Sequence, residues 1–388
     1  MFWGVDNEDF NQWEGTFYDF FFSHFLNYHA FKDERECALY LNQLRPYAKE
    51  LWQSYQNDIN SIFPDYSNTL TQEAYFLRYC PLYSDSLVKI LENLNNSIEL
   101  PITENSNICI VSAGPASELR GILDFSKTIK ISSFKNMKFS LVDKMDWKST
   151  RTIIKQALYD YLDEDNVPEI KEVTIDILSD PIAIDADYDL IFFQNCINEY
   201  LSQKPNNEVM NRISKIIEKL TPQGLAIFSE RASYKGINLF FNELSEAENA
   251  NIIELIQGKI PKYRSIKHVP NILKTEFFKN ESGLIASYNN SLEYIVFKKK
   301  YNKGFSFIPD KKDFISEKLE KVGKKSLEKE SFYEGFNLSN LGANKDFGSK
   351  LNDGTDDLID GPLSDDWDSA DWEDYMSGPD DDFFENND

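Results

Sequence analysis

Hydrophobic and polar positions divide the chain into three zones. Over residues 1 to about 100 the apolar spacing is helical. Between Thr71 and Leu94 the residues Tyr75, Leu77, Tyr79, Leu82, Leu87, Val88, Ile90, Leu91 and Leu94 mark one long helix. The stretch Leu87–Leu94 keeps the stripe of a helix face. Phe17–Phe25 is rich in aromatics with polar residues at intervals, and reads as a second helix. Asn95-Asn96-Ser97 closes the zone.

From Asn107 the period shortens. Strand candidates are Ile108–Ser112, Phe139–Asp143, Val173–Leu178, Asp189–Phe193, Leu225–Ser229 and Tyr294–Lys298. Between two of them, Val209, Ile213, Ile216, Ile217 and Leu220 fall on one helical face, and Thr221-Pro222-Gln223-Gly224 reads as a break before the next strand. Near-continuous apolar strands alternating with helices imply a mostly parallel sheet covered on both faces. The expectation is an N-terminal helical domain over 1–100 and a doubly wound α/β domain over 101–300. A charged linker over 301–350 follows, with a helix at Phe314–Lys325. Residues 351–388 are expected to be a disordered acidic tail.

Composition agrees with a folded core, since 41% of residues are hydrophobic and 14% aromatic. The net charge is −24, but Leu351–Asp388 holds 15 acidic and no basic residues, so the first 350 residues carry −9. A general nucleic-acid binder needs a basic face and is disfavoured. Cys37, Cys80, Cys109 and Cys196 are far apart, which argues against a disulfide framework or a cysteine zinc site. With three histidines and no H-E-x-x-H, a histidine metal enzyme is disfavoured too. No apolar run is long enough for a membrane helix, and Met1–Asp6 lacks the basic start of a signal peptide. A cytoplasmic protein with no membrane partner is expected.

In open α/β sheets, ligands bind beyond the carboxyl ends of the strands. After Ile108-Cys109-Ile110-Val111 come Ser112-Ala113-Gly114-Pro115-Ala116-Ser117-Glu118 and then Leu119, Ile122, Leu123 and Phe125. This is a strand, a turn of small residues and an amphipathic helix whose first N–H groups lack partners. Ser117 is the candidate cap. The alternative is a plain tight turn. The second strand ends in Asp143, which would otherwise cap a helix, and Trp147 follows. Gln194, Asn195, Asn198 and Glu199 line the turn after the fourth strand, where they also have capping alternatives. Cys196 reads as a small buried residue.

The segment Val111–Glu118 resembles motif I of class I S-adenosylmethionine-dependent methyltransferases, which runs from an acidic residue through Gly-x-Gly-Pro-Gly to Ser/Thr-Glu. Gly-Pro-x-Ser-Glu is matched. Ile110 stands in place of the acid, and Ser112 and Ala116 in place of two glycines. Leu220–Phe228 is similar to the family's Leu-x-Pro-Gly-Gly turn, and Tyr188–Phe193 to its fourth strand.

The resemblance implies a Rossmann-like seven-stranded sheet and S-adenosylmethionine as cofactor. Ser112, Ala113, Gly114, Pro115, Ala116 and Glu118 would then cradle its amino-acid end, and Asp143 would accept from the ribose hydroxyls. An acid after the third strand, Asp180 ahead of Asp176, would meet the adenine amino group. Gln194 and Asn195 would face the cofactor, with Glu199 as base or acceptor-positioning group. Asp143→Ala is then expected to weaken cofactor binding at least about tenfold with little change in melting temperature.

Ala74–Tyr83 resembles a stretch before the catalytic domain in some members. It makes Tyr75, Arg78, Tyr79 and Tyr83 candidates for a lid, or for packing between domains. The (Asp/Asn)-Pro-Pro-(Tyr/Phe) signature is absent, which disfavours methylation of exocyclic base amines and glutamine. The acceptor is expected to be a small molecule or protein rather than RNA. The alternative is an inactive binding protein of this fold. It would act through acidic-aromatic segments such as Asp371-Trp372-Glu373-Asp374-Tyr375 on a basic protein partner.

Overall fold

The computed structural model describes residues 17–56, 64–185, 187–201, 206–232, 236–246, 252–264, 269–279, 284 and 289–300. The linker 301–350, its expected helix and the acidic tail 351–388 lie outside these residues.

Three helices come first: α1 (Phe17–His29), α2 (Glu34–Gln56) and α3 (Thr69–Asn95). They are followed by β1 (Asn107–Val111), α4 (Ser117–Thr128), β2 (Lys138–Asp143), α5 (Lys148–Tyr161), β3 (Glu169–Thr174) and β4 (Tyr188–Gln194). The chain continues through α6 (Ile197–Leu201), α7 (Asn206–Ile217), β5 (Leu220–Arg231), α8 (Gly236–Glu246), β6 (Ile252–Arg264) and β7 (Asn289–Lys299). The sheet has seven strands in the order β3-β2-β1-β4-β5-β7-β6. The first five are mutually parallel, and β7 runs antiparallel to both β5 and β6. The winding reverses between β1 and β4, and their carboxyl ends flank the crevice where such sheets bind ligands.

Burial on both faces explains the apolar strands. Ile110, Phe192 and Ile227 join one core with α1–α5, while their neighbours Val111, Phe193 and Phe228 join a second core with α6–α8. Phe193 and Phe228 stack at 4.3 Å between ring centroids. Each such fully buried side chain contributes roughly 1.5–3 kcal/mol of transfer free energy.

The long helix α3 brings the N-terminal layer to the sheet. Asn68 caps it by accepting from the Leu70 N–H at 2.9 Å. Gly121 lets α4 come close, since a Cβ there would lie 2.7 Å from the Ser84 carbonyl oxygen. The Ser84 hydroxyl donates to the Ser117 carbonyl at 2.6 Å, which ties α3 to the start of α4. Glu73 joins four helices, accepting from Tyr40 of α2 at 2.6 Å and Ser149 of α5 at 2.9 Å, with His29 of α1 at 3.1 Å.

Several expected boundaries move. The third strand is Glu169–Thr174, not Val173–Leu178; it is a sheet edge with mostly exposed side chains, so its sequence is polar. Residues 175–180 form turns instead. Thr221–Gly224 does not precede β5 but lies within it. The pairing with β4 jumps from Tyr188↔Leu220 to Leu190↔Leu225 and absorbs these residues as an irregularity. Helix α7 accordingly ends at Ile217 and leaves Leu220 to the strand. The strand β6 matches none of the six strand candidates. Among the described residues no helix is long and apolar enough to cross a membrane.

Candidate ligand site at the carboxyl edge

The turn after β1 is held in a conformation that L-residues avoid. Ser112, Gly114 and Ala116 have φ of 53°, 50° and 70°. These are the three glycine positions of the resembled motif, and a left-handed conformation costs a non-glycine residue roughly 1–2 kcal/mol. Strain of this kind persists only where the surroundings impose it. Here they do. The Gly114 N–H donates to Asp143 Oδ2 at 2.8 Å, and the Gly114 carbonyl accepts from Arg151 Nε at 2.9 Å. The Ala113 N–H donates to the Val142 carbonyl, and the Ser112 hydroxyl meets the Tyr200 hydroxyl at 2.6 Å. Ala113, Gly114, Pro115 and Ala116 are buried.

Ser117 does not cap α4. Ala116 occupies the cap position without a side-chain hydrogen bond. The Ser117 hydroxyl donates instead to Glu118 Oε2 at 3.3 Å. Glu118 is 4% exposed, and burial pushes its carboxyl up to about 7.

Asp143 sits at the end of β2, buried, and does not cap a helix. Its Oδ1 accepts the Met145 N–H at 2.9 Å while Oδ2 takes Gly114. Trp147 packs against Gly114, with a ring atom 3.7 Å from where a Cβ would be, and its Nε1 is buried with no partner among the described residues.

Across the crevice, Gln194 is 6% exposed. Its Nε2 donates to the Tyr83 carbonyl at 3.1 Å, and Oε1 is buried with no partner among the described residues. Asn195 has φ of 54°, and both polar atoms of its side chain are shielded, with no partner among the described residues. Glu199 on α6 keeps an edge towards solvent, yet shielding of its carboxyl pushes it up to about 7, with Lys144 opposing and Asp143 adding to the rise. Asn198 is half-buried beside it.

The acids after β3 are more exposed than this group. Asp180 is exposed, and its Oδ2 accepts the Asp176 N–H at 2.8 Å. Asp176 accepts from the Leu178 N–H and the Ser179 hydroxyl. Both are committed to one turn, which Arg212 braces through the Ile177 and Asp180 carbonyls. Cys196 is 3% exposed, and burial holds its thiol far above the usual range, so it is a packed residue and not an activated nucleophile.

Two residues of the site had no motif to mark them. Arg151 is 2% exposed and joins the Gly114 turn to Glu172 of β3 at 3.2 Å. Its only sequence signal is a cation on the helix after Asp143. Arg151→Met leaves the buried Gly114 carbonyl without this donor and breaks the tie to Glu172, and should lower unfolding free energy by roughly 1–3 kcal/mol in urea titration, with Arg151→Lys recovering part of it. Glu230 on β5 is 2% exposed, and burial pushes its carboxyl up to about 8. It accepts from the Arg231 N–H at 3.1 Å.

No protein-family model matches the chain, and no curated protein is similar to it. Solved structures similar to it include the N-methyltransferase NodS from Bradyrhizobium japonicum, in complex with S-adenosyl-L-homocysteine. It is 12% identical over 64% of this chain and 98% of that one, with a TM-score of 0.34. A TehB-like methyltransferase from Corynebacterium glutamicum is 13% identical over 57% and 100%, with a TM-score of 0.30. An rRNA methylase from Streptococcus thermophilus is 11% identical over 58% and 98%, also with a TM-score of 0.30. The fold itself rests on the strand order. With five parallel strands in the order 3-2-1-4-5, a reversal between β1 and β4, and the strained turn and acid at that reversal, the chain has a Rossmann-like α/β fold.

Proposed function

We propose that the chain is an S-adenosylmethionine-dependent methyltransferase. The observation that carries this reading is the Gly114 turn. Three left-handed residues alternate at the switch point, and the peptide in their middle is clamped by Asp143 on one side and Arg151 on the other.

The buried polar groups fit the cofactor. Gln194 Oε1, both Asn195 side-chain polar atoms and Trp147 Nε1 have no partner among the described residues. Each such group costs roughly 1–3 kcal/mol, which a polar ligand in the crevice would offset. Asp143 also has room for it, because a carboxylate offers about four acceptor positions and two are in use. In this reading Ser112–Ala116 and Glu118 hold the amino-acid end and Asp143 the ribose. The Asp176–Asp180 turn lies towards the adenine, and Gln194 and Asn195 close the opposite wall.

When bound, the cofactor supplies a methyl group on a positively charged sulfur for in-line displacement. The residues' task is chiefly orientation, with the nucleophile about 3 Å from the methyl carbon. Glu118 and Glu199 add negative charge next to that cation as they ionise. With its pKa brought near 7, Glu199 is suited to take a proton from an acceptor at neutral pH.

The test is a methyl-transfer screen with labelled cofactor against lysate fractions. Asp143→Asn serves as the control, since it retains an acceptor for the Gly114 N–H. Transfer by wild type that falls at least about tenfold in the variant supports the reading. Equal labelling by both would remove Asp143 from the site.

A further inference from the structure

Helix α3 faces the crevice with aromatic side chains. Tyr75 lies 5.0 Å from Tyr79 and 6.2 Å from Tyr83, and Tyr79 stacks on Tyr83 at 5.6 Å. Tyr75 also meets Trp147 at 5.4 Å, and Tyr66 meets both Trp147 at 5.3 Å and Tyr75 at 5.8 Å. Five rings thus gather beside the Gly114 turn. The Glu118 carboxylate lies within electrostatic reach of Tyr75. Two buried polar atoms at this wall are unsatisfied: Gln194 Oε1, on the residue whose amide holds the Tyr83 carbonyl, and Trp147 Nε1. One ring already carries a cation, since the Arg78 guanidinium sits 5.3 Å over Tyr79.

Ring faces attract cations, and clustered aromatic walls select ammonium groups. An acidic carboxyl strengthens that preference. The Gln194 oxygen has two lone pairs, so besides the cofactor it can accept from an ammonium N–H or a hydroxyl alike, and the rings and the carboxyl, not this bond, set the preference for charge. We propose that Tyr66, Tyr75, Tyr83 and Trp147, with Glu118 and Gln194, recognise a protonated aliphatic amine as the methyl acceptor. This rests on the methyltransferase reading above. Tyr75 is the entry point, because it is half-buried while Tyr66, Tyr79, Tyr83 and Trp147 are each at most 7% exposed. In the transfer, the amine first yields a proton to Glu199 or water. Its lone pair then forms the N–C bond as the C–S bond breaks, and that electron pair goes to sulfur, leaving a neutral thioether.

The test uses the full chain, S-adenosylhomocysteine, and two probes of like shape: benzylamine, protonated at pH 7, and neutral benzyl alcohol. Calorimetry first measures S-adenosylhomocysteine, then each probe with it present. Benzylamine should bind at least about tenfold tighter than benzyl alcohol. Tyr75→Leu should remove most of that preference and Tyr75→Phe should keep it, both retaining S-adenosylhomocysteine affinity within about twofold. If S-adenosylhomocysteine binds and the two probes do not differ, the amine site is wrong and the methyltransferase reading stands. If benzylamine is preferred but S-adenosylhomocysteine does not bind, the site stands and that reading falls. The wild-type comparison decides the matter should Tyr75→Leu fail to fold.

Discussion

Asp143→Ala should lose both cofactor affinity and stability. The sequence alone leads to the expectation of an affinity loss with an unchanged melting temperature. The structure changes that. The carboxylate accepts two backbone N–H groups, from Gly114 and Met145, in a site where Asp143 is 9% exposed. Removing it leaves both donors without this partner, at roughly 1–3 kcal/mol each. It also releases a turn whose three left-handed residues need an external hold. Unfolding free energy should fall by roughly 2–4 kcal/mol, with S-adenosylmethionine affinity at least about tenfold lower. Asp143→Asn keeps one acceptor oxygen and should restore much of the stability but less of the affinity. Urea titration with calorimetry separates the two effects. A wild-type midpoint in Asp143→Ala would show that the two hydrogen bonds do not hold the turn.

Glu230→Gln should stabilise the protein at pH 8 and leave it nearly unchanged at pH 5. Burial raises the Glu230 carboxyl from an ordinary 4.5 to about 8. The native state therefore holds this proton more tightly than the unfolded chain does. Below about pH 4.5 both states are protonated and the group costs nothing. As pH rises the unfolded chain ionises first, so native stability falls until pH passes the folded value. The shift from 4.5 to about 8, at about 1.4 kcal/mol per pH unit, gives a penalty on the order of 4 kcal/mol at pH 8. Glutamine removes the ionisation and keeps an oxygen for the Arg231 N–H. Because Glu199 is electrostatically linked to Glu230, part of the gain will pass through Glu199. Glu118 and Glu199, both raised to about 7, act in the same direction over a narrower window. Thermal or urea unfolding of wild type and variant at the two pH values measures the difference. An equal effect at both would mean that Glu230 is ionised in the native state.

The central elements were legible because they are buried on both sides. Strands β1, β2 and β4 each carry a mostly apolar run, and α3 carries a long apolar stripe, so pattern alone locates them. The sheet edges were not. The exposed β3 is written Glu-Ile-Lys-Glu-Val-Thr, and β6 mixes Ile, Glu, Gln and Lys along its length. No residue of β3 is buried, and on β6 the inner face of Ile252, Ile256 and Ile260 is interrupted by Glu254 and Gly258 and is mostly only half-buried. At the site, Gly114 signalled a tight turn, but nothing in Ser112 or Ala116 tells that they share its left-handed backbone. The hold on the turn comes from the Asp143 and Arg151 clamps on Gly114, together with the Ala113 and Ser112 contacts, none of which the sequence displays. Arg151 and Glu230 escaped because a charged residue in a sequence reads as exposed until its burial is seen. Favouring Asp180 over Asp176 requires a strand that reaches it, whereas β3 ends at Thr174.

Calorimetric titration of S-adenosylhomocysteine into the full-length protein tests the central claim most directly. One molecule should bind per chain, with affinity weakened at least about tenfold in Asp143→Asn. No heat of binding at millimolar ligand, from a protein shown to be folded, would contradict the account.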